Sequence, residues 1–333
     1  METSPRVSVV VIGRNEGQRL AACLRSIAAI EPIEGGIEVI YVDSDSHDGS
    51  PELAALLGAT VLHVKPGRPC AAIGRNAGWQ AAHAPFVLFL DGDTELYPEF
   101  LHTALKAMAD AQVAVVWGHR RERHPEQSWY NRVLDLDWIY PPGLSDFCGG
   151  DALMRREVLE SVKGFSHDLI AGEEPELCQR IRAQGYVILH IDQPMTLHDL
   201  AMTRWQAYWK RALRAGHAYA EVSQRLKNTD FTLWQRECRR NLLHVAVLLS
   251  LFVATVIFAG LLNNGWPFAG LVGIYSALVI RSAYKARWKS NQRLTLLLYG
   301  IHSHLQQLPI ALGQLSYWLN RLQKRQQRLI EYK

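Results

Sequence analysis

Phe86-Val87-Leu88-Phe89-Leu90-Asp91-Gly92-Asp93 is an apolar run of five residues followed at once by two carboxylates with a glycine between them. A short apolar run bounded by turn residues fits a strand buried on both faces. The acidic end has two readings. Asp and Gly are common in turns. Two carboxylates at a strand end also suit a hard divalent cation, because Mg²⁺ or Mn²⁺ takes one or two carboxylates together with substrate phosphates.

Similar runs lie on either side. Val7–Ile12, Ile37–Val42, Thr60–Val64 and Val113–Trp117 read as strands. Gly17–Ala29, Pro51–Leu57, Ala71–Ala82 and Pro98–Ala109 read as helices between them. This alternation predicts a βαβ series with a mostly parallel sheet. Ligands of such sheets bind beyond the carboxyl ends of the strands. Those ends are polar: Gly13-Arg14-Asn15-Glu16 after the first run, Asp43 to Ser50 after the second, and Asp91-Gly92-Asp93 after the fourth. No GxGxxG follows a strand and no GxxxxGK[ST] occurs, which disfavours a dinucleotide dehydrogenase and a P-loop NTPase.

Several further motifs stand in order along residues 5–200. They are Val7 to Glu16, Val42-Asp43-Ser44-Asp45-Ser46-His47-Asp48-Gly49-Ser50, Gly74-Arg75-Asn76-Ala77-Gly78, Asp91-Gly92-Asp93, Phe147-Cys148-Gly149-Gly150-Asp151 with Lys163-Gly164-Phe165, and Gly172-Glu173-Glu174-Pro175-Glu176-Leu177-Cys178-Gln179-Arg180. Together they resemble the inverting family 2 glycosyltransferases of GT-A fold, a Rossmann-like mixed α/β sheet with flanking helices. Two positions depart from the family's pattern. Lys163 replaces the first Gly of GGF, and Glu174 replaces the Asp of the GEDxxLxxR helix.

The resemblance implies displacement of a nucleoside diphosphate from a sugar by an acceptor hydroxyl. It implies that Asn15, Glu16, Asp43 and Asp45 hold the nucleoside, with Arg75, Asp91 and Gly92 completing the nucleotide-sugar site. An Asp accepting an imide N–H favours a UDP-sugar. Arg75 is an always-charged donor for diphosphate or sugar, or a helix-start salt bridge. Asp93, Asp91 and His198 are the candidate ligands of Mn²⁺ or Mg²⁺. Such an ion stabilises charge on a leaving diphosphate. Gly149, Gly150, Asp151, Arg204 and Trp205 are expected on the acceptor side.

The base should be an acceptor-side carboxylate. Glu174 is the first candidate and Glu173 the second, although carboxylates also suit the positive end of a helix. His198 follows the strand-like Tyr186–Ile191, whereas His190 lies within it and reads as a packed residue. Arg204-Trp205 matches part of the QxxRW motif of processive synthases. Position 201 is Ala, so a non-processive transferase is expected.

The remaining third differs in composition. Residues 1–200 hold 17 Lys and Arg against 28 Asp and Glu, a net of −11, while residues 201–333 hold 19 against 4, a net of +15. The whole chain carries +4 over 333 residues, with 48% hydrophobic residues, which excludes a disordered chain. Five cysteines without a CxxC pair fit a reducing compartment. No secretory signal is read at the N-terminus.

Leu242–Leu262 is a run of 21 residues without Lys, Arg, Asp or Glu, and Trp266–Ile280 is a second uncharged run. Arg236, Arg239 and Arg240 precede the first, and Arg281, Lys285, Arg287 and Lys289 follow the second. These flanks predict a transmembrane hairpin with both ends in the cytoplasm. A buried hairpin of a soluble domain is the alternative. Leu294, Leu298, Ile301, Leu305, Leu308, Leu312, Leu315, Leu319 and Leu322 form one helical stripe, kinked at Pro309 and closed by Arg321, Lys324, Arg325 and Arg328. It reads as an in-plane membrane helix, or as a helix docked on the hairpin.

The expected organisation is therefore a GT-A domain over 1–200, juxtamembrane basic and aromatic helices over 201–240, a hairpin over 241–283 and an amphipathic helix over 290–333. The expected function is transfer from a nucleotide-sugar to a lipid-linked or other membrane glycan, at the inner membrane with the catalytic part cytoplasmic. Membrane lipids are expected partners and nucleic acid is not. A non-catalytic nucleotide-sugar-binding subunit and a nucleotidyltransferase are the alternatives.

Overall fold

A computed structural model describes residues 4–65, 67 and 70–325. The chain divides into two compact units. The first comprises Met1–His124, Trp138–Leu200 and Asn228–Thr232, and the second Pro125–Asp137, Ala201–Lys227 and Leu233–Lys333.

In chain order the first elements are β1 (Val7–Gly13), α1 (Gln18–Ala28), β2 (Ile37–Asp43), α2 (Ser50–Leu56), β3 (Thr60–His63), α3 (Ala71–Ala81) and β4 (Phe86–Asp91). They are followed by β5 (Thr94–Leu96), α4 (Phe100–Ala107), β6 (Val113–Glu122), α5 (Trp129–Asp137), β7 (Gly143–Ser145), β8 (Ala152–Arg155), α6 (Arg156–Ser161), α7 (Glu173–Ala183) and β9 (Val187–His198). The chain continues as α8 (Trp205–Arg225), α9 (Gln235–Leu262), α10 (Trp266–Lys285), α11 (Arg293–Leu305) and α12 (Gln307–Leu322). Of these, α5 and α8 to α12 form the second unit.

The first unit is built on one mixed sheet, ordered β3-β2-β1-β4-β8-β6-β9-β5, with β7 beside β9. The first four strands of that order are parallel, as the βαβ pattern predicts. β8 runs antiparallel to both β4 and β6. Val9, Val10 and Val11 of β1 and Val87 to Leu90 of β4 are buried, because helices cover both faces of these central strands. Register sets the polar strand ends side by side: Gly13 pairs with Asp43, and Ile12 with Asp91. Neighbours β2 and β4 lie on opposite sides of β1, so the crevice opens at the switch in strand order.

Two strands run further than their apolar runs. β6 extends through His119-Arg120-Arg121-Glu122, and β9 extends to His198, so His198 ends a strand rather than following one. The two strands pair along these polar extensions, Glu122 opposite His198, past register shifts near His119. Backbone pairing holds them extended although hydrophobic patterning has stopped.

The second unit is helical. Among the described residues, two of its helices are long and apolar enough to cross a membrane by length and composition: Gln235–Leu262, with an 18-residue stretch of mean hydropathy 2.7, and Trp266–Lys285, with one of 1.2. α8 and α12 cross closely. A Cβ on Gly216 would strike the Ile310 carbonyl, and one on Gly313 the Leu213 carbonyl. The expected kink at Pro309 is a break at Gln306 between two helices, which leaves Pro309 in the first turn of α12, where its missing N–H is harmless. Arg328 lies outside the described residues.

Candidate active site

Arg75 is the centre of the site. Its helix α3 begins at the base of the crevice, and its guanidinium is only 2% exposed. Nη1 lies 3.0 Å from Oε1 of Glu173 and 2.8 Å from Oε1 of Glu174, and Nη2 lies 2.9 Å from Oδ1 of Asp91. A buried charge needs partners, and here three carboxylates surround one guanidinium. Burial alone would lower the Arg75 pKa, but Glu174, Asp91 and Glu173 hold it above its ordinary value.

The carboxylates feel the same crowding. Burial pushes Glu174 up to about 7, Arg75 opposes that shift, and Glu173 adds to it. Glu173 and Glu174 open α7 after Gly172, whose φ of 84° is a left-handed turn. The helix is fixed behind them: Arg180 pairs with Glu176 at 2.8 Å and donates to the Gly164 carbonyl at 2.8 Å. Asn76 binds Phe165 on both sides, donating to its carbonyl at 2.8 Å and accepting its N–H at 2.9 Å. The Phe165 ring lies 5.7 Å from the Arg75 guanidinium. Motifs distant in sequence thus hold one guanidinium in place.

Gly150 closes the cluster. A Cβ there would come within 2.6 Å of Nη2 of Arg75 and 2.9 Å of Oδ2 of Asp91. Gly149, beside it, faces open space. Asp151 is buried, with Oδ1 accepting the Asp91 N–H at 3.1 Å and Oδ2 the Thr196 hydroxyl at 2.8 Å. Burial raises its pKa, against the pull of Arg120. Its place is therefore behind Asp91, as a support.

Asp93 and His198 meet at the other end of the Asp91-Gly92-Asp93 turn, Nε2 of His198 lying 3.4 Å from Oδ1 of Asp93. The other imidazole nitrogen lies 4.0 Å from Oε2 of Glu122, and Trp138 packs edge-on against the ring. Glu122 is itself held by the His124 and Leu200 N–H groups, both at 3.1 Å. Among the described residues no three His, Cys, Asp or Glu side chains form a ready ligand group. Asp91, expected beside Asp93 as a ligand, gives its carboxylate to Arg75 and lies 3.6 Å from Arg120. Asp93 and His198 still fit a divalent cation. A carboxylate and an imidazole suit Mn²⁺.

At the ends of β1 and β2, Asp43 is buried and accepts the Tyr41 hydroxyl at 3.2 Å and the Ser46 N–H at 3.0 Å. Asn15 ties the first strand end to the second: its N–H donates to Ser46 Oγ and its Oδ1 accepts the His47 N–H at 2.8 Å. Glu16 pairs with Arg19 at 2.8 Å and Asp45 with Lys65 at 3.2 Å. Gly92 donates its N–H to the Ile12 carbonyl at 2.8 Å. Arg204 and Trp205 belong to the second unit, where Trp205 opens α8 and stacks on Tyr208. His190 is a packed residue, stacked on Trp117 with Nδ1 2.9 Å from the Pro141 carbonyl.

Arg120, Glu122, Trp138 and Thr196 escaped the sequence reading. Arg120 spans Asp91 and Asp151, and lies 5.0 Å from the Trp138 ring. The signal for Arg120 and Glu122 was the dense charge of His119 to Glu122 directly after an apolar run.

Residues 8–163 match the sequence model described as glycosyl transferase family 2. Glycosyltransferase AglE of Haloferax volcanii is 22% identical over 193 residues, 55% of this chain and 64% of its own length. An undecaprenyl-phosphate 4-deoxy-4-formamido-L-arabinose transferase of Aeromonas hydrophila is 36% identical over 135 residues, 38% of this chain and 40% of its own. Both matches span less than two thirds of the relative's length. Among solved structures, the mannosyltransferase PcManGT of Pyrobaculum calidifontis, in complex with GDP-Man and Mn²⁺, superposes with a TM-score of 0.63 at 21% identity, covering 91% of this chain and 87% of that one. That likeness carries the fold. Residues 8–163 thus form a glycosyl transferase family 2 domain, and the relatives and the solved structure that the chain resembles are glycosyltransferases.

Proposed function

We propose that the chain moves a sugar from a nucleoside-diphosphate donor to a hydroxyl of a membrane-associated glycolipid or lipid-linked glycan, one sugar at a time and with inversion. The observation that carries this reading is the Arg75 cluster. It joins Glu174, a buried carboxylate with a pKa near 7, to the strand end that bears Asp93. A base poised near neutrality and a donor-side acid pair on one scaffold suit hydroxyl activation beside a leaving diphosphate.

Glu174 takes the proton from the acceptor hydroxyl as that oxygen bonds to the anomeric carbon. The bond from that carbon to the diphosphate oxygen breaks, and the nucleoside diphosphate leaves with the electron pair. Arg75 keeps Glu174 and Asp91 in register. Asp93 and His198 would hold Mn²⁺ or Mg²⁺, which when bound neutralises charge on the diphosphate. Asp43, Asp45, Asn15 and Glu16 hold the nucleoside. An Asp that accepts an imide N–H serves uracil and guanine alike, so the donor is a UDP- or GDP-sugar.

The second unit anchors the chain at the cytoplasmic face of the inner membrane, through α9 and α10. The positive flanks of the pair and the uncharged Asn263-Asn264-Gly265 turn support that topology.

The test is a panel of UDP- and GDP-sugars titrated against the full chain in detergent, with and without Mn²⁺ or Mg²⁺. One donor should bind in the presence of metal and be lost with a chelator. No binding of any nucleotide-sugar with metal present would overturn the reading.

A further inference from the structure

α8, α9 and α12 enclose a groove of about 500 Å³, a size common for small-ligand sites. Leu242, Leu243, Ala246 and Trp318 form its apolar length, and Gln235 and Arg239 its polar end. Gln314, which lines it, donates to Oδ1 of the buried Asn241 behind it at 2.7 Å, and Nδ2 of Asn241 donates to the Gln307 carbonyl at 2.9 Å and to its Oε1 at 2.7 Å. The Gln314 side-chain amide is thereby engaged away from the groove.

Arg239 is exposed and has no carboxylate partner among the described residues. It stands three residues before Leu242, where α9 passes from charged to uncharged sequence, and Arg236 and Arg240 are its near neighbours. The groove's apolar wall continues onto exposed Val247 of α9 and exposed Leu315 and Leu322 of α12. An occupant thus needs an anionic head at one end and hydrocarbon along the rest, and it enters sideways from an apolar medium.

We propose that this groove binds one anionic glycerophospholipid of the surrounding leaflet, with its phosphate ester on Arg239 and an acyl chain along Leu242, Ala246 and Trp318. The assignment rests on the reading that α9 and α10 enter a bilayer. A leaflet lipid reaches an open-sided groove by lateral diffusion and keeps the rest of its apolar surface in the membrane. A cation at this depth contributes about 1 kcal/mol toward an anionic lipid, which is about five-fold in affinity.

The test uses the full chain in neutral detergent with acyl-labelled phosphatidylglycerol and phosphatidylcholine of equal chain length, read by fluorescence anisotropy. Phosphatidylglycerol should bind about five-fold more tightly. Arg239→Gln should remove that difference, Arg239→Lys should keep it, and Ala246→Trp should weaken both lipids by filling the groove. Arg287→Gln, outside the groove, should change neither. Equal binding of the two lipids, wild-type preference in Arg239→Gln, or displacement of phosphatidylglycerol by tenfold less polyprenyl phosphate would each overturn the assignment. All arms use solubilised protein, so such a failure leaves membrane attachment standing. Recovery of the full chain in a detergent-free soluble fraction would instead fail the membrane reading.

Discussion

The two units solve opposite burial problems. The first hides Val, Leu and Phe in its sheet and keeps its charges at strand ends, where partners compensate them. The second turns Leu308, Leu312, Leu315, Leu319 and Leu322 of α12 outward, and buries Ile310, Ala311, Gly313, Gln314 and Tyr317 of the same helix. Several of its other buried polar groups are hydrogen-bonded. His302 bridges Asp137 at 3.1 Å and the Tyr208 hydroxyl at 2.8 Å. An exposed leucine stripe of this length suits the membrane reading proposed above.

The largest expected effect lies in the first unit. Glu174→Gln should lower transfer by about 10²- to 10⁴-fold, the range for a lost general base. It should not lower thermal stability at pH 8, since it removes one of three carboxylates crowding Arg75; turnover and melting on one preparation check both. Glu122→Gln should cost up to about 10-fold in metal affinity or activity, because it removes the negative charge 4.0 Å from the His198 ring. Metal titration of activity reads that loss, and an unchanged metal requirement would separate Glu122 from His198.

Two smaller effects belong to the second unit. Gly216→Val places carbon against the Ile310 backbone and should destabilise that unit by about 1–3 kcal/mol, the usual cost of overpacking. Donor binding should survive, and thermal unfolding compared with nucleotide-sugar binding measures the separation. Leu319→Lys on the exposed stripe should leave melting in detergent nearly unchanged, yet lower recovery with liposomes in a flotation assay. Equal flotation would mean that this face meets water.

The sheet was legible because Val7–Gly13, Ile37–Asp43 and Phe86–Asp91 are continuous apolar runs punctuated by charge. The ends of β6 and β9 were not, since backbone pairing alone holds their polar residues extended. Glu174, Asp93 and His198 were readable from motifs. The partners of Arg75 were not, because helical and strand periods say nothing of which carboxylates converge on a guanidinium from a strand end and a distant helix start. The resemblance implies ligand and acceptor roles for Asp91 and Asp151, and it does not show that Asp91 also pairs with Arg75 or that Asp151 accepts the Asp91 N–H. Pro309 marked a helix interruption, but the break falls at Gln306, where the proline can sit in a first turn.

The most direct measurement of the central claim is the pH dependence of kcat/KM for transfer from the donor that binds with metal. Burial raises the Glu174 pKa to about 7, so the base is protonated below that pH and free above it. The account predicts a rate that rises with unit slope through pH 7 to a plateau, and a flat, 10²- to 10⁴-fold lower profile in Glu174→Gln. The same rise near pH 7 persisting in Glu174→Gln, at wild-type magnitude, would contradict it.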